Sequence, residues 1–256
     1  MDAHSHSDVA AFLAELKTTV DAAVPLGDPK TVTVPDGFVL GMYWRARGLL
    51  EGITVLLAAM LADEALILAR SLLEQSLHLQ ELAAAGQERV ALVLDWYNRS
   101  LSEKLGLIRR AASRGDAGDL GITEKDVEEE RKTIQGYMNR HSIKKLRRLM
   151  PLQASAARFN RSDELWVAGI ADEVVHGSEI AHGPRRLALP GGGVGYKLRN
   201  DDPEMSAWVS ALAARSMILS RIAAGTIFDW GQPEELAALL VRVDAFVAEE
   251  GRLVSR

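Results

Sequence analysis

Apolar residues recur along this chain at helical spacing almost from end to end, and one stretch, Leu66–Glu81 (LILARSLLEQSLHLQE), is apolar nearly all round. At about 100° per residue, Arg70, Glu74, His78 and Glu81 fall in one stripe about 80° wide, flanked by Leu66, Ile67, Leu73 and Leu77. Leu68, Leu72, Leu79 and Leu82 take the remaining faces. Such a helix is predicted in the middle of a bundle. Charges are tolerated there only when paired and hydrogen-bonded, because an unpaired buried charge costs several kcal/mol. Arg70 and Glu74 therefore either form a structural ion pair or line a site.

The flanking pattern is helical too. Asp8–Val24 is amphipathic and is broken by Pro25, Gly27 and Pro29, with an extended link over Thr31–Pro35. Phe38–Leu61 is a second, largely apolar helix, after which Asp63 is predicted to cap the central one and Gly86 to end it. Gln87–Ser113 carries an apolar face from Val90 to Ile108, and Arg114–Gly121 is a turn. Thr123 with Asp126 three residues on gives a capping-box start to an acidic helix reaching Met138. A basic helix is predicted over Ser142–Met150, then one from Ser162 to about Glu179. Pro184–Leu198 (PRRLALPGGGVGYKL) predicts a short β-hairpin flap. Two helices close the chain: Pro203–Trp230, behind an Asp202 N-cap, and one that starts at Gln232-Pro233 and runs to Gly251.

The fold class expected is all-α, a bundle of about eight or nine helices with one short β-hairpin insertion. It forms a single domain: residues 1–37 are the N-terminal helix and linker, 38–182 the core with its polar pocket, 183–200 the flap and 201–256 a C-terminal helical pair.

Composition narrows the chemistry. With 256 residues, 48% hydrophobic and 25% charged, the chain can bury a sizeable core. A net charge of −5 argues against coating nucleic acid with the whole surface but leaves room for a local basic patch. There is no cysteine, which excludes disulfides, thiolate metal sites and a cysteine nucleophile and fits a cytoplasmic setting. The first residues lack a signal-peptide pattern, and no apolar run is read as a membrane span.

Candidate chemistry sits in the central stripe and in Asp172–His182 (DEVVHGSEIAH). Asp172 and His176 stand one helical turn apart, as do Glu74 and His78, and Glu173 and His176 form the sole Glu-x-x-His. Two carboxylate–histidine pairs on two helices resemble, in spacing only, heme-oxygenase-like di-iron enzymes. That resemblance implies an iron or manganese oxidase held by Glu74, His78, Asp172, Glu173, His176 and His182. The opposing reading makes His78 and His176 hydrogen-bonded core histidines. Arg140–Arg148 (RHSIKKLRR) is the one dense basic cluster. On a helix its Lys144 and Arg148 would bind phosphate or nucleic acid, unless Glu124, Asp126 and Glu128–Glu130 neutralise them in a helical hairpin. Gly191–Gly195 lacks the Gly-Lys-Ser/Thr ending of a phosphate loop and suits a hairpin tip or lid.

The sequence LARSLLEQSLHL, a following helix with Tyr97 and a later VVHGS resemble the DUF5677 family over about Phe38–Ser178. The resemblance implies that Arg70, Glu74 and His176 converge from separate helices in one polar pocket, with Trp166 as the aromatic ahead of the histidine. HEPN-type helical ribonucleases offer a looser comparison, but their arginine four to six residues before a histidine is absent here. An Arg70/His176 pair from two helices could do the same work, with Arg70 on phosphate, His176 as general acid/base, Glu74 orienting Arg70, and Asp172, His78 and Ser178 alongside. Three readings stand. One is a protein that binds, or hydrolyses, a small anionic ligand or RNA in a defence or toxin-like role. The second is the metal oxidase. The third is a non-enzymatic protein, homodimeric through Pro203–Trp230 and Pro233–Glu250, whose Arg70–Glu74–His176 network only fixes helix register.

Overall fold

The computed structural model describes residues 6–22, 33–115, 121–165, 168–169, 186–188, 194–196, 203–231 and 234–254. Its helices are α1 (His6–Ala22), α2 (Val34–Ala58), α3 (Ala62–Ala84), α4 (Arg89–Arg114), α5 (Glu124–Arg140), α6 (Leu152–Arg158), α7 (Pro203–Phe228) and α8 (Glu234–Val254). A single 3-10 turn, Gly86–Glu88, separates α3 from α4.

Local chemistry explains the boundaries. The Thr33 side chain accepts the Asp36 N–H and Pro35 sits in the first turn, so α2 starts ahead of the expected Phe38. Met60, at φ 58°, breaks the chain between α2 and α3. Leu61 is the N-cap of α3 and makes no side-chain cap, so Asp63 does not cap it as expected. Asp63 and Glu64 instead lie in the first turn, where negative charge favours the helix dipole. Thr123 and Asp126 form the expected capping box.

Helix α3 is the centre of the body, packed mainly on α7 and α2 and flanked by α4 and α6. Leu66, Leu72, Leu73, Leu77 and Leu79 are buried in the core that these helices share. Helices α4 and α5 form an outlying pair around their own small core of Leu94, Leu101, Ile108, Val127 and Ile134. Within α7, Met205–Phe228 is long and apolar enough to cross a membrane, contrary to the reading that no run reaches that length. However, 67% of that stretch is buried inside the body, beneath α1, α2, α3 and α8, as in a core helix.

Three expectations need correction. The fold class is all-α rather than all-α with a hairpin insertion: helices build the core of the described body. The β pairing there is three residues, Arg186–Ala188, against three, Val194–Tyr196. Most of the expected flap lies outside the described residues. The basic segment is not helical. Ser142, at φ 54°, ends α5, with the Ile143 N–H donating to the Met138 carbonyl at 2.9 Å, and residues 143–150 form neither helix nor strand. The unexpected α6 follows Pro151. Of the helix predicted from Ser162 to Glu179, residues 162–165 and 168–169 are helical and the rest lies outside the described residues.

Gly225 shows how tightly α7 is seated. A Cβ there would stand 2.7 Å from Arg221 Nη1 and 3.1 Å from the Trp230 carbonyl oxygen. Arg221 is buried, donates to the Gly231 carbonyl at 2.9 Å and stacks on the Trp230 ring, so it has little room to retreat. Gly225→Ala is expected to destabilise the fold by about 1–3 kcal/mol, as overpacking does, read from the urea unfolding midpoint.

Candidate functional site

The polar stripe of α3 divides into parts with different environments. Arg70 Nε lies 3.5 Å from Glu74 Oε1, and the two side chains keep 27% and 37% of their surface exposed. The pair is open to solvent, although most of its helix is buried. One turn on, the His78 ring meets Trp96 of α4 edge to face, with centroids 4.6 Å apart. Trp96 in turn meets Phe38 of α2 at 5.6 Å, and beside them Arg99 pairs with Asp95 at 3.0 Å. Glu81 at the far end is 4% exposed, and its Oε1 accepts the Met150 N–H at 2.8 Å. Burial raises the Glu81 pKa, a shift opposed by that hydrogen bond and by Arg158.

Burial, with a smaller contribution from the Arg99 charge, pushes the His78 pKa down to about 4. His78 is therefore neutral at pH 7, and its Nδ1 has no hydrogen-bond partner among the described residues. It can stack and hydrogen-bond but is no phosphate-binding cation. The unfolded chain takes up this proton near pH 6.5, before the native state does, so stability contributed by neutral His78 is lost as pH falls from about 6.5 toward 4. At about pH 5 the expected loss is about 2 kcal/mol relative to pH 7. His78→Leu should flatten that part of the pH profile of the urea midpoint.

A second polar cluster, not anticipated from the sequence, joins α3 from the opposite side. Arg161 is fully buried and donates through Nε to both Glu164 oxygens at 3.0 Å, through Nη1 to Ser76 Oγ at 2.9 Å and through Nη2 to Ser216 Oγ at 2.8 Å. Glu164 also takes Arg215 Nη1, and Arg215 Nε donates to Asp244 Oδ1 at 2.7 Å. Ser76 is about 160–240° round the helix from the Arg70–His78 stripe. The network ties α3, the chain after α6, α7 and α8 together. An Arg-x-x-Glu at a Ser162-led helix start was the signal available, but the polar context FNRSDE gives no sign of burial.

Asp172, Glu173, His176, Ser178 and His182, with Trp166, lie outside the described residues, so the structure places only the Arg70, Glu74 and His78 part of the expected pocket. Among the described residues no group of three or more His, Asp or Glu lies close enough to hold a metal ion. Lys144 and Arg148 are exposed on the non-helical segment. Two clefts adjoin the α4–α5 pair. One of about 410 Å³ is lined by Asn98, Arg131, Lys132 and Leu146 among others. The other, about 220 Å³, lies among Pro35, Phe38, Val93, Leu94 and Tyr97.

Residues 36–161 match the model of DUF5677, a family of unknown function. The match confirms the resemblance from α2 through α6 and takes in Arg70, Glu74 and His78. It stops short of the expected Ser178, so His176 and Ser178 lie beyond it. No curated protein and no solved structure matches the chain.

Proposed function

We propose, from this DUF5677 match as premise, that the chain is a cytoplasmic helical protein binding a small phosphate-bearing ligand at the Arg70–Glu74 stripe of α3. One observation carries the reading. Two charged clusters touch the central helix, and the buried one, around Arg161, links it through Ser76 to the surrounding helices. The Arg70–Glu74 pair is left half-exposed on a helix that otherwise gains by burying apolar surface. A guanidinium offers a bidentate fork to phosphate, Glu74 holds it in place, and the neutral His78–Trp96 surface one turn away suits an uncharged ring or sugar. Hydrolysis of that ligand, or of RNA in a defence setting, is the extension in which His176 supplies the acid/base function that His78, held neutral, does not.

Isothermal titration calorimetry with a nucleoside monophosphate tests the reading. Wild type is expected to bind, and Arg70→Ala to bind at least tenfold more weakly with its fold intact. Equal affinity in the two proteins would sink the proposal.

A further inference from the structure

The basic run crosses the surface as a strap that is neither helix nor strand. Ile143, Leu146 and Leu149, three residues apart, are half-buried against the two cores. The residues between these three face solvent. Here those positions carry Lys144, Lys145, Arg147 and Arg148, all exposed. Both ends are tied: the Ile143 N–H to the Met138 carbonyl at 2.9 Å, and the Met150 N–H to the buried Glu81 at 2.8 Å.

The charges on this strap are mostly uncompensated. Arg147 pairs with Glu88, whereas Lys144, Lys145 and Arg148 make no ion pair among the described residues. Of the five α5 acids expected to neutralise them, Glu124 and Glu130 are engaged on α4, Asp126 caps its own helix and Glu129 pairs with Lys125. Glu124 holds Arg109 at 3.1 Å, and Glu130 holds Tyr97 at 2.9 Å and Lys104 at 3.6 Å. Arg131 and Lys132 extend the basic surface along the adjoining cleft, whose rim also holds Glu128.

We propose that this strap binds nucleic acid through the phosphate backbone, without reading bases. A row of ordered, outward cations on a chain of net charge −5 focuses affinity for a polyanion at one place. Ile143, Leu146 and Leu149 pack against the two cores, so the strap has no exposed apolar face to insert into a lipid surface, and a membrane is the poorer fit. The proposal stands whatever occupies the α3 stripe.

Fluorescence anisotropy with a fluorescein-labelled RNA duplex across a potassium chloride series tests it. Three phosphate contacts predict a slope of log K against log salt of roughly −3, and a loss of roughly fortyfold in affinity between about 50 and 200 mM salt. Lys144→Ala/Lys145→Ala/Arg148→Ala should lose binding, while Lys17→Ala, which removes an exposed cation paired with Glu51 outside both proposed sites, should keep both affinity and slope. Circular dichroism and the urea midpoint should show both variants folded. Duplex binding by the triple variant at wild-type strength, a flat salt dependence, or tighter binding to phosphatidylserine vesicles than to RNA would overturn the proposal.

Discussion

Replacing Arg161 with alanine is expected to cost about 3–5 kcal/mol of folding stability, the largest effect of any single change considered. The guanidinium is fully buried and satisfies Glu164, Ser76 and Ser216 together. Without it Glu164, 7% exposed, keeps Arg215 as its charge partner but loses the bonds from Arg161, while two buried hydroxyls lose a donor. The cost comes from stranded polar groups rather than from the pair's own strength. Removing both charges should therefore do less harm: Arg161→Met with Glu164→Leu is expected to recover much of the loss. Urea unfolding of the three proteins checks this. A double variant as unstable as Arg161→Ala would mean that the network contributes more than the satisfaction of its own members.

Arg70→Ala is expected to do the reverse, with a change in stability within about 0.5 kcal/mol and a large change in binding. An ion pair one helical turn apart near the surface contributes only about 0.3–0.5 kcal/mol, and the Arg70 and Glu74 side chains keep 27% and 37% of their surface exposed. A hydrogen bond from the guanidinium to a phosphate is worth about 1.5–3 kcal/mol, so the affinity loss should be roughly ten- to a hundredfold. Calorimetry for binding and urea titration for stability separate the two quantities. A variant that unfolds would assign Arg70 to the architecture instead.

The sequence made the backbone of this account readable where one periodic signal dominated. The all-round apolar face around Leu66–Leu82 marked α3 as central, and Thr123 with Asp126 marked the start of α5, because cap chemistry and helical period are local. Ser142–Met150 was misread for the same reason. Its basic composition favours a helix, but Ser142 turns left-handed, and Ile143, Leu146 and Leu149 gain more by reaching two cores. Only tertiary contacts record that choice. The stripe from Arg70 to Glu81 was legible as a stripe, but its division into an open pair, a neutral histidine on Trp96 and a buried anchor for Met150 depends on neighbours far along the chain. Arg161 escaped because a charged residue in a polar stretch reads as surface, and nothing local announces that Ser76 and Ser216 wait for it.

The cluster around Arg161 ties α3 to its neighbours through Ser76, whereas the Arg70–Glu74 pair on α3 itself serves a ligand. Thermal unfolding of wild type and Arg70→Ala in phosphate, each against chloride of equal ionic strength, tests this division most directly. Phosphate raises the midpoint of any protein somewhat by exclusion from its surface, so the difference between the two proteins is what counts. The account predicts a larger phosphate-dependent rise in wild type than in Arg70→Ala, with nearly equal midpoints in chloride. Identical rises, or an Arg70→Ala midpoint that collapses in chloride, would contradict it.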